Sequence, residues 1–418
     1  MGFIKTPVKG MNDFLPSEMA IRQKALQSIR ETYAAFGFSE IETPCMEHIE
    51  NLTGKQGGEN EKLIFKVLKR GAALSRALEK GEDLADSGMR YDLTLPLSRF
   101  YAQNGASLSA PFKALQIGNV WRADQPQKGR FRQFTQCDID ILGDASVLAE
   151  IELIGATSLM LSKLLAGTGV EGITVHINDR RILKGMALSV GFPEESLDSI
   201  FIILDKLDKI GEDGVQKELL EMGLEEKAVS RYLSLFSRTA DSVSEFCSLL
   251  GEEFLPASVP AGLDTILSCV KSSLPDHVSL KFDPTLVRGM GYYTGTIFEV
   301  KLNEYNFSIA GGGRYDEMIG KFSGQKVPAC GFSIGFERII TILRDHPVEA
   351  EKSAEGIALL VENGLAPEKL QEIFLSAAAL RGEGKRVTVL PLKKNAKFQI
   401  DRLMEEGFAD IRRIYRNS

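Results

Sequence analysis

FKALQIGNVWRADQPQKGRFRQFTQCDIDIL, residues Phe112–Leu142, holds two strand-like segments around a basic turn. Phe112–Val120 and Phe134–Leu142 read as strands, the second alternating between polar and apolar side chains. Between them lie Arg122, Lys128, Arg130 and Arg132, together with a proline and a glycine. That composition interrupts a strand and keeps the tip in water, so the segment predicts an antiparallel hairpin. On the returning strand Gln136, Asp138 and Asp140 share one face, because strand side chains alternate with period two. A polar face flanked by phenylalanine and isoleucine is costly in a dry core. It lines a cleft, or it belongs to a strand open to water on that side.

Upstream, Met19, Ile21, Ala25, Ile29, Tyr33 and Phe36 recur at helical spacing after Pro16-Ser17, and the helix should stop near Gly37. Ser39–Thr43 reads as a strand closed by Pro44, and Leu63–Leu68 as another. Downstream, Ser146–Leu165 predicts a helix and Ile173–Asn178 a strand. Asp179–His277 is rich in Leu, Lys, Glu and Asp with helical periodicity, which predicts an all-helical insertion. Strand signals return at Val278–Phe282, Ile297–Leu302 and Phe307–Ala310, and a helix runs from near Gly335 to Leu343. Beyond the polar stretch Asp345–Glu355, strands at Ile357–Val361, Arg386–Leu390 and Ile411–Tyr415 alternate with helices at Pro367–Leu380 and Asn395–Glu406. This is the pattern of a small α/β domain. The fold class is α+β: a core in two parts, 1–179 and 278–345, a helical insertion at 180–277, and a C-terminal α/β domain at 356–418.

The chain has 418 residues, 44% hydrophobic and 26% charged, the composition of an ordinary globular protein with room for two or three domains. Disordered, collagen-like and disulfide-stapled classes are excluded. The cysteines Cys45, Cys137, Cys247, Cys269 and Cys330 are scattered and never form a CxxC pair, so they read as free thiols. With only four histidines, no metal site built from a direct protein cluster is expected. No apolar run is long enough to span a bilayer, and the opening MGFIKTPVKGMNDFLPSE lacks the apolar core of a signal peptide. The expectation is a cytoplasmic protein without a membrane partner. A formal charge of -7 argues against indiscriminate nucleic-acid binding but leaves room for a local basic surface.

Neither GxxxxGK[ST] nor a strand-following GxGxxG occurs, so phosphate is not held by either common glycine device. The hairpin's arginine forks suit phosphate oxygens and its phenylalanines suit a planar ring, although a solvated charged loop has the same composition. In YDLTLP, Asp92 and Thr94 share a face. LVRGMGYYTGT (286–296) sets Arg288 and the paired Tyr292 and Tyr293 among glycines, a backbone that a ligand can approach closely. AGGGRYD (310–316) has three glycines that permit positive φ, and tight turns would explain either glycine cluster. GFSIGFER (331–338) reads as a strand turning into a helix with Arg338 in its first turn, either a phosphate-facing group or a surface arginine.

In their order along the chain these motifs resemble those of the class II aminoacyl-tRNA synthetases, and among them the histidyl-tRNA synthetases. Ile41–Pro44 is similar to the family's dimer-forming first motif, Arg122–Phe134 to the second and Gly331–Arg338 to the third. RGMGYYTGT and GGGRYD resemble its two histidine-specific signatures. The resemblance implies a class II antiparallel-sheet catalytic core and a homodimer. It also implies ATP as substrate accompanied by Mg²⁺, with L-histidine and tRNA(His) as the other partners. Arg122 would grip the α-phosphate and the substrate carboxylate. Phe134 would stack on adenine with Arg338 over its other face, and Asp124 and Arg130 would complete the ATP site. Asp92, Thr94 and Gln136 would hold the amino acid, while Asp140, Tyr292 and Tyr293 would read the imidazole. Arg288, counted with these among the histidine-binding residues, would also act with Arg122 as a catalytic arginine, stabilising charge as the histidine carboxylate attacks the α-phosphate.

Some features depart from the family's pattern. Gly291 stands where an acidic residue is usual, and the loop Gly57–Lys62 is short. The C-terminal domain is expected to be abbreviated, yet Lys385, Arg386, Lys393, Lys394, Lys397, Arg402, Arg412, Arg413 and Arg416 keep its last part basic, as an RNA-facing surface would be. The abbreviated tail raises a rival expectation, a histidine-sensing regulatory subunit of ATP phosphoribosyltransferase. Such a sensor has no need of the ATP-gripping arginines.

Overall fold

The computed structural model describes residues 2–53, 59–126, 130–288, 291–305, 307–347 and 356–416. Gly57, Gly58, Lys128, Gly289, Met290 and most of the stretch Asp345–Glu355 lie outside the described residues. The chain divides into two units, 1–346 and 347–418. The strands of the first are β1 Ser39–Ile41, β2 Met46–His48, β3 Lys66–Leu68, β4 Ala85–Met89, β5 Phe112–Trp121, β6 Gln133–Leu142, β7 Ile173–Asp179, β8 Val278–Phe282, β9 Thr296–Leu302, β10 Ser308–Arg314 and β11 Ala329–Gly335. Those of the second are β12 Gly356–Val361, β13 Val387–Pro391 and β14 Phe408–Ile414.

An eight-stranded sheet in the order β1-β5-β6-β11-β10-β9-β7-β8 organises the first unit. Its inner ladders are antiparallel, and only the edge pairs β1–β5 and β7–β8 run parallel. The hairpin forms as its sequence dictates, with β5 and β6 in unbroken register from Phe112 opposite Leu142 to Trp121 opposite Gln133. One face of β6 gives Cys137, Ile139 and Ile141 to a core shared with Ala25, Ile29 and Tyr33 of the helix Pro16–Ala35 and with Leu153, Met160 and Leu161 of the helix Leu148–Leu165. The buried face of Pro16–Ala35 also holds Arg22, whose guanidinium makes a bidentate pair at 2.6 and 2.9 Å with Glu337 at the start of the helix Phe336–Asp345. Arg314 ends β10 in a second buried bidentate pair, both bonds 2.7 Å, with Glu150. Each pair ties a helix to another element, and the two-pronged geometry fixes its angle.

After β7 the chain leaves the sheet. Asp179 caps the helix Arg180–Ser189 by accepting from the Arg181 amide at 2.8 Å, as an N-cap aspartate does. Further helices, Leu197–Leu204, Leu207–Glu221, Glu226–Phe236 and Ser258–Lys271, bury Phe201, Val215, Leu219, Tyr232, Leu233 and Ile266 before β8 returns beside β7.

Two local expectations are corrected. Leu63–Leu68 is not one strand: Glu59–Leu63 is a 3-10 turn and only Lys66–Leu68 pairs, in a small β2-β4-β3 sheet. The apolar run LIF reads as a strand, but the Ile64 amide bonds back to the Glu61 carbonyl and closes a turn. Gly311–Gly313 are not turn glycines at positive φ but the middle of β10. A Cβ on Gly312 would come 2.0 Å from the Gly331 carbonyl oxygen, so closeness to β11 is what excludes a side chain.

In the second unit β12 lies between β13 and β14, all parallel. Its run GIALLV is buried throughout, the pattern of a parallel strand covered on both faces. Ile357, Leu359 and Val361 pack with Ile373 and Ala377 of the helix Pro367–Gly382. Ala358 and Leu360 pack with Leu403 of the helix Ala396–Glu405.

Candidate active site

The polar face of β6 turns away from the helices and lines a cavity of about 780 Å³. Asp92, Thr94, Arg122, Asp124, Arg130, Phe134, Gln136, Asp140, Arg288, Tyr292, Tyr293 and Arg338, all singled out in the sequence, line it together. Asp138, the third member of the polar face read on β6, lines it too, and the structure adds Phe307, Tyr315 and Ser333.

At one end the hairpin supplies cations on a braced frame. Arg122 donates from Nε to the Tyr91 carbonyl at 3.1 Å, and its guanidinium stands 4.3 Å from the Tyr91 ring centre and 5.1 Å from that of Phe134. Arg130 pairs with Asp124 at 3.0 Å. Arg132 donates to the Asp124 carbonyl, and its own amide donates to the Gly10 carbonyl at 2.7 Å. The segment before the first helix thus braces the loop. Arg338 bonds the Ser308 carbonyl and stands 5.4 Å from the centre of the Phe307 ring. Phe134 therefore faces Arg122 here, while Arg338 faces Phe307.

At the other end carboxylates are gathered under cover. Asp92 is 8% exposed and accepts from the Leu95 amide at 3.1 Å, at the start of the helix Thr94–Asn104. Burial raises its pKa against the pull of that amide and of Arg122. Asp138 and Asp140 are each 3% exposed. Asp138 accepts from Ser333 Oγ at 2.5 Å, and burial, with the neighbouring charge of Asp140, pushes it well above the usual carboxylate range. Gln136 donates to Ser333 at 2.9 Å, which leaves its Oε1 unpartnered. Asp140 accepts from the Tyr315 hydroxyl at 2.6 Å through Oδ1, and its buried Oδ2 has no partner. Burial pushes Asp140 up to about 7, opposed by the Tyr315 hydrogen bond. A half-satisfied buried carboxylate is an acceptor waiting for a donor.

Tyr292 and Tyr293 pack ring to ring at 4.8 Å, and Tyr292 meets Tyr315 edge-on at 6.1 Å. Arg288 is paired with Glu299 at 2.7 Å. Two glycines make room for these groups. A Cβ on Gly331 would fall 1.9 Å from Asp140 Oδ1, and one on Gly311 would fall 2.7 Å from the Arg288 guanidinium. Gly291 faces open space, with nothing within 4 Å of a Cβ built there. Asp138 was visible in the sequence as part of a polar face, and Tyr315 and Ser333 as members of quoted motifs. Glu299 carried no signal.

Arginines at one end, an aromatic ledge beside them and buried carboxylates at the other end suit a ligand pair, one polyanionic and one cationic. A family profile described as histidyl-tRNA synthetase matches residues 10–339. The histidine–tRNA ligase of Leifsonia xyli subsp. xyli is 45% identical over 416 residues, covering 96% of this chain and 94% of that one. A probable histidine–tRNA ligase of Tropheryma whipplei (strain Twist) is 42% identical over 359 residues, covering 81% and 80%. The crystal structure of histidyl-tRNA synthetase from Nostoc sp. PCC 7120 superimposes with a TM-score of 0.77 at 26% identity, covering 97% and 90%. A Bacillus halodurans structure described as an ATP phosphoribosyltransferase regulatory subunit/histidyl-tRNA synthetase shares the fold, with a TM-score of 0.78 at 23% identity and 99% of each chain covered. The chain belongs to the histidyl-tRNA synthetase family.

Proposed function

We propose that this cavity joins histidine to ATP and passes the histidyl group to tRNA(His), the activity of a histidine–tRNA ligase. The observation that supports the reading most is the meeting of side chains from YDLT, the basic hairpin, QCDID, RGMGYYTGT and GFER on one cavity. Arg122 and Arg338 take the phosphates, Phe134 stacks on adenine, and Asp124 with Arg130 closes the nucleotide end. Asp92, Thr94 and Gln136 hold the amino acid, Asp92 and Gln136 through its ammonium group. Asp140, Tyr292 and Tyr293 read the imidazole, so a ligand without ring N–H groups leaves buried polar atoms unpaired. A histidine carboxylate oxygen attacks the α-phosphorus, the bond to the β-phosphate oxygen breaks and pyrophosphate leaves. A ribose hydroxyl of the terminal adenosine then attacks the acyl carbon of the adenylate and gives up its proton, the bond from that carbon to the phosphate oxygen breaks, and AMP leaves. Arg288 and Arg122 face the charge that gathers on the α-phosphate oxygens in the first step, where fixed cations act with most force.

Mg²⁺ would accompany the nucleotide. Among the described residues no cluster of three or more His, Cys, Asp or Glu side chains is placed to hold a metal ion, and of the carboxylates on the cavity wall Glu337 pairs with Arg22 and Asp124 with Arg130. That donor set suits a cation held by phosphate oxygens and water rather than by a protein cage, and such a cation neutralises phosphate charge. Residues 180–277 act as an insertion, the unit 356–418 presents the basic surface to tRNA, and the enzyme works as a cytoplasmic homodimer.

Histidine-dependent ATP–pyrophosphate exchange tests the activity, and exchange with histidine alone among the amino acids is expected. Histidine binding without exchange would return the regulatory reading. The Asp140–Tyr315 bond gives a sharper expectation. Asp140 accepts from the imidazole when ionised, so kcat/KM for histidine falls as pH drops through the Asp140 pKa. Tyr315→Phe removes the hydroxyl that favours the carboxylate, which raises that pKa. The acid limb of the kcat/KM profile should move to higher pH by about one unit, equivalent to a hydrogen bond of about 1.4 kcal/mol. A limb that stays put or moves to lower pH contradicts this role.

A further inference from the structure

Arg288 is held from outside the cavity. Its Nη1 donates to Glu299 Oε1 at 2.7 Å, with side chains only 22% and 15% exposed. Arg288 lines the cavity, whereas Glu299 is absent from its walls. Glu299 stands on β9 directly across the ladder from Gly311. A Cβ on Gly311 would lie 2.7 Å from the guanidinium carbon and from both terminal nitrogens, so the guanidinium rests close against bare backbone. Lys301 lies two residues on and on the same face of β9. Its ammonium is 3.7 Å from Glu299 Oε2 and 2.8 Å from Asp208 on the helix Leu207–Glu221.

We propose that Glu299 is a positioning residue for the activation step. It ties one edge of the Arg288 fork, β10 supports the plane, and the remaining N–H groups are left to meet charge in the cavity. Lys301, itself held by Asp208, stands as counter-ion to the Glu299 carboxylate in turn. This inference rests on the role proposed for Arg288. A long side chain left untied samples many rotamers, so the tie acts on how often the cation is in place and not on whether substrates bind.

The test is steady-state ATP–pyrophosphate exchange with thermal melting on the full chain, comparing wild type, Arg288→Ala, Glu299→Gln and Glu299→Asp. Glu299→Gln should lower kcat about tenfold, with KM for histidine and ATP within about twofold and melting within about 2 °C of wild type. Glu299→Asp, which keeps the charge, should recover most of the rate. An unchanged or faster kcat in Glu299→Gln overturns the proposal, as does a loss that falls on KM or follows a lowered melting temperature. Near-normal exchange by Arg288→Ala would instead remove the reading of Arg288, and the inference with it.

Discussion

Replacing Arg288 with alanine is expected to slow histidyl-adenylate formation by about 100- to 1,000-fold, the usual consequence of losing one fixed donor to a developing oxyanion. The loss should fall on kcat, because Arg288 meets charge that is greatest in the transition state. Histidine and ATP retain Asp92, Asp140, Arg122 and Arg338, so both KM values should move little. The fold should survive. Arg288 is partly exposed, and Glu299 keeps the Lys301 ammonium at 3.7 Å as a counter-ion, so no buried charge is stranded. Single-turnover formation of labelled adenylate reads the step directly. A rate within a few fold of wild type, on protein with normal melting, would end the catalytic assignment.

Gly331→Ala is the second large effect expected, and it strikes recognition rather than chemistry. Gly331 on β11 lies opposite Asp140 on β6, and the added Cβ would sit 1.9 Å from Oδ1 and 2.8 Å from the carboxyl carbon. Asp140 is 3% exposed and anchored by Tyr315, so its carboxylate must swing and break that bond. A displacement of about 1 Å at a reacting or recognising group costs about 100-fold. KM for histidine should therefore rise about 100-fold while KM for ATP stays within a few fold, because the nucleotide end is built on other residues. Unaltered histidine KM in a well-folded Gly331→Ala protein would show that Asp140 does not read the imidazole.

The sequence was most legible where one segment carries its own reason for its shape. The strand GIALLV is apolar throughout because both faces are covered, and the hairpin announces itself through a basic turn between two strands. β4 was invisible, since ADSGM has neither alternation nor apolar weight and pairs only because β2 and β3 lie beside it. Gly311–Gly313 were misread because a glycine in a turn and a glycine beneath a neighbour look alike in one chain. What excludes their side chains is β11, Thr296 and Arg288, none of them adjacent in sequence. Arg22 shows the same limit: it is a charge on a helix face buried with Ala25, Ile29 and Tyr33, and its partner Glu337 is 315 residues away. The cavity's polar face was readable on β6. Glu299 was not, because its meaning lies in a contact made outside the motif that it follows.

The order of strands in the large sheet has a consequence for biosynthesis. β6 ends at Leu142, but its inner neighbour β11 is not complete until Gly335 has left the ribosome. At ordinary elongation rates that gap lasts about 10–40 s, during which the β6 edge that will carry the substrate pocket has no partner. The helices between β7 and β8 have local contacts and can form in the meantime, so they occupy the interval without covering the edge. A nascent chain stalled in this window presents an open strand with a row of unpaired amides and carbonyls, the kind of surface that recruits chaperones or seeds aggregation.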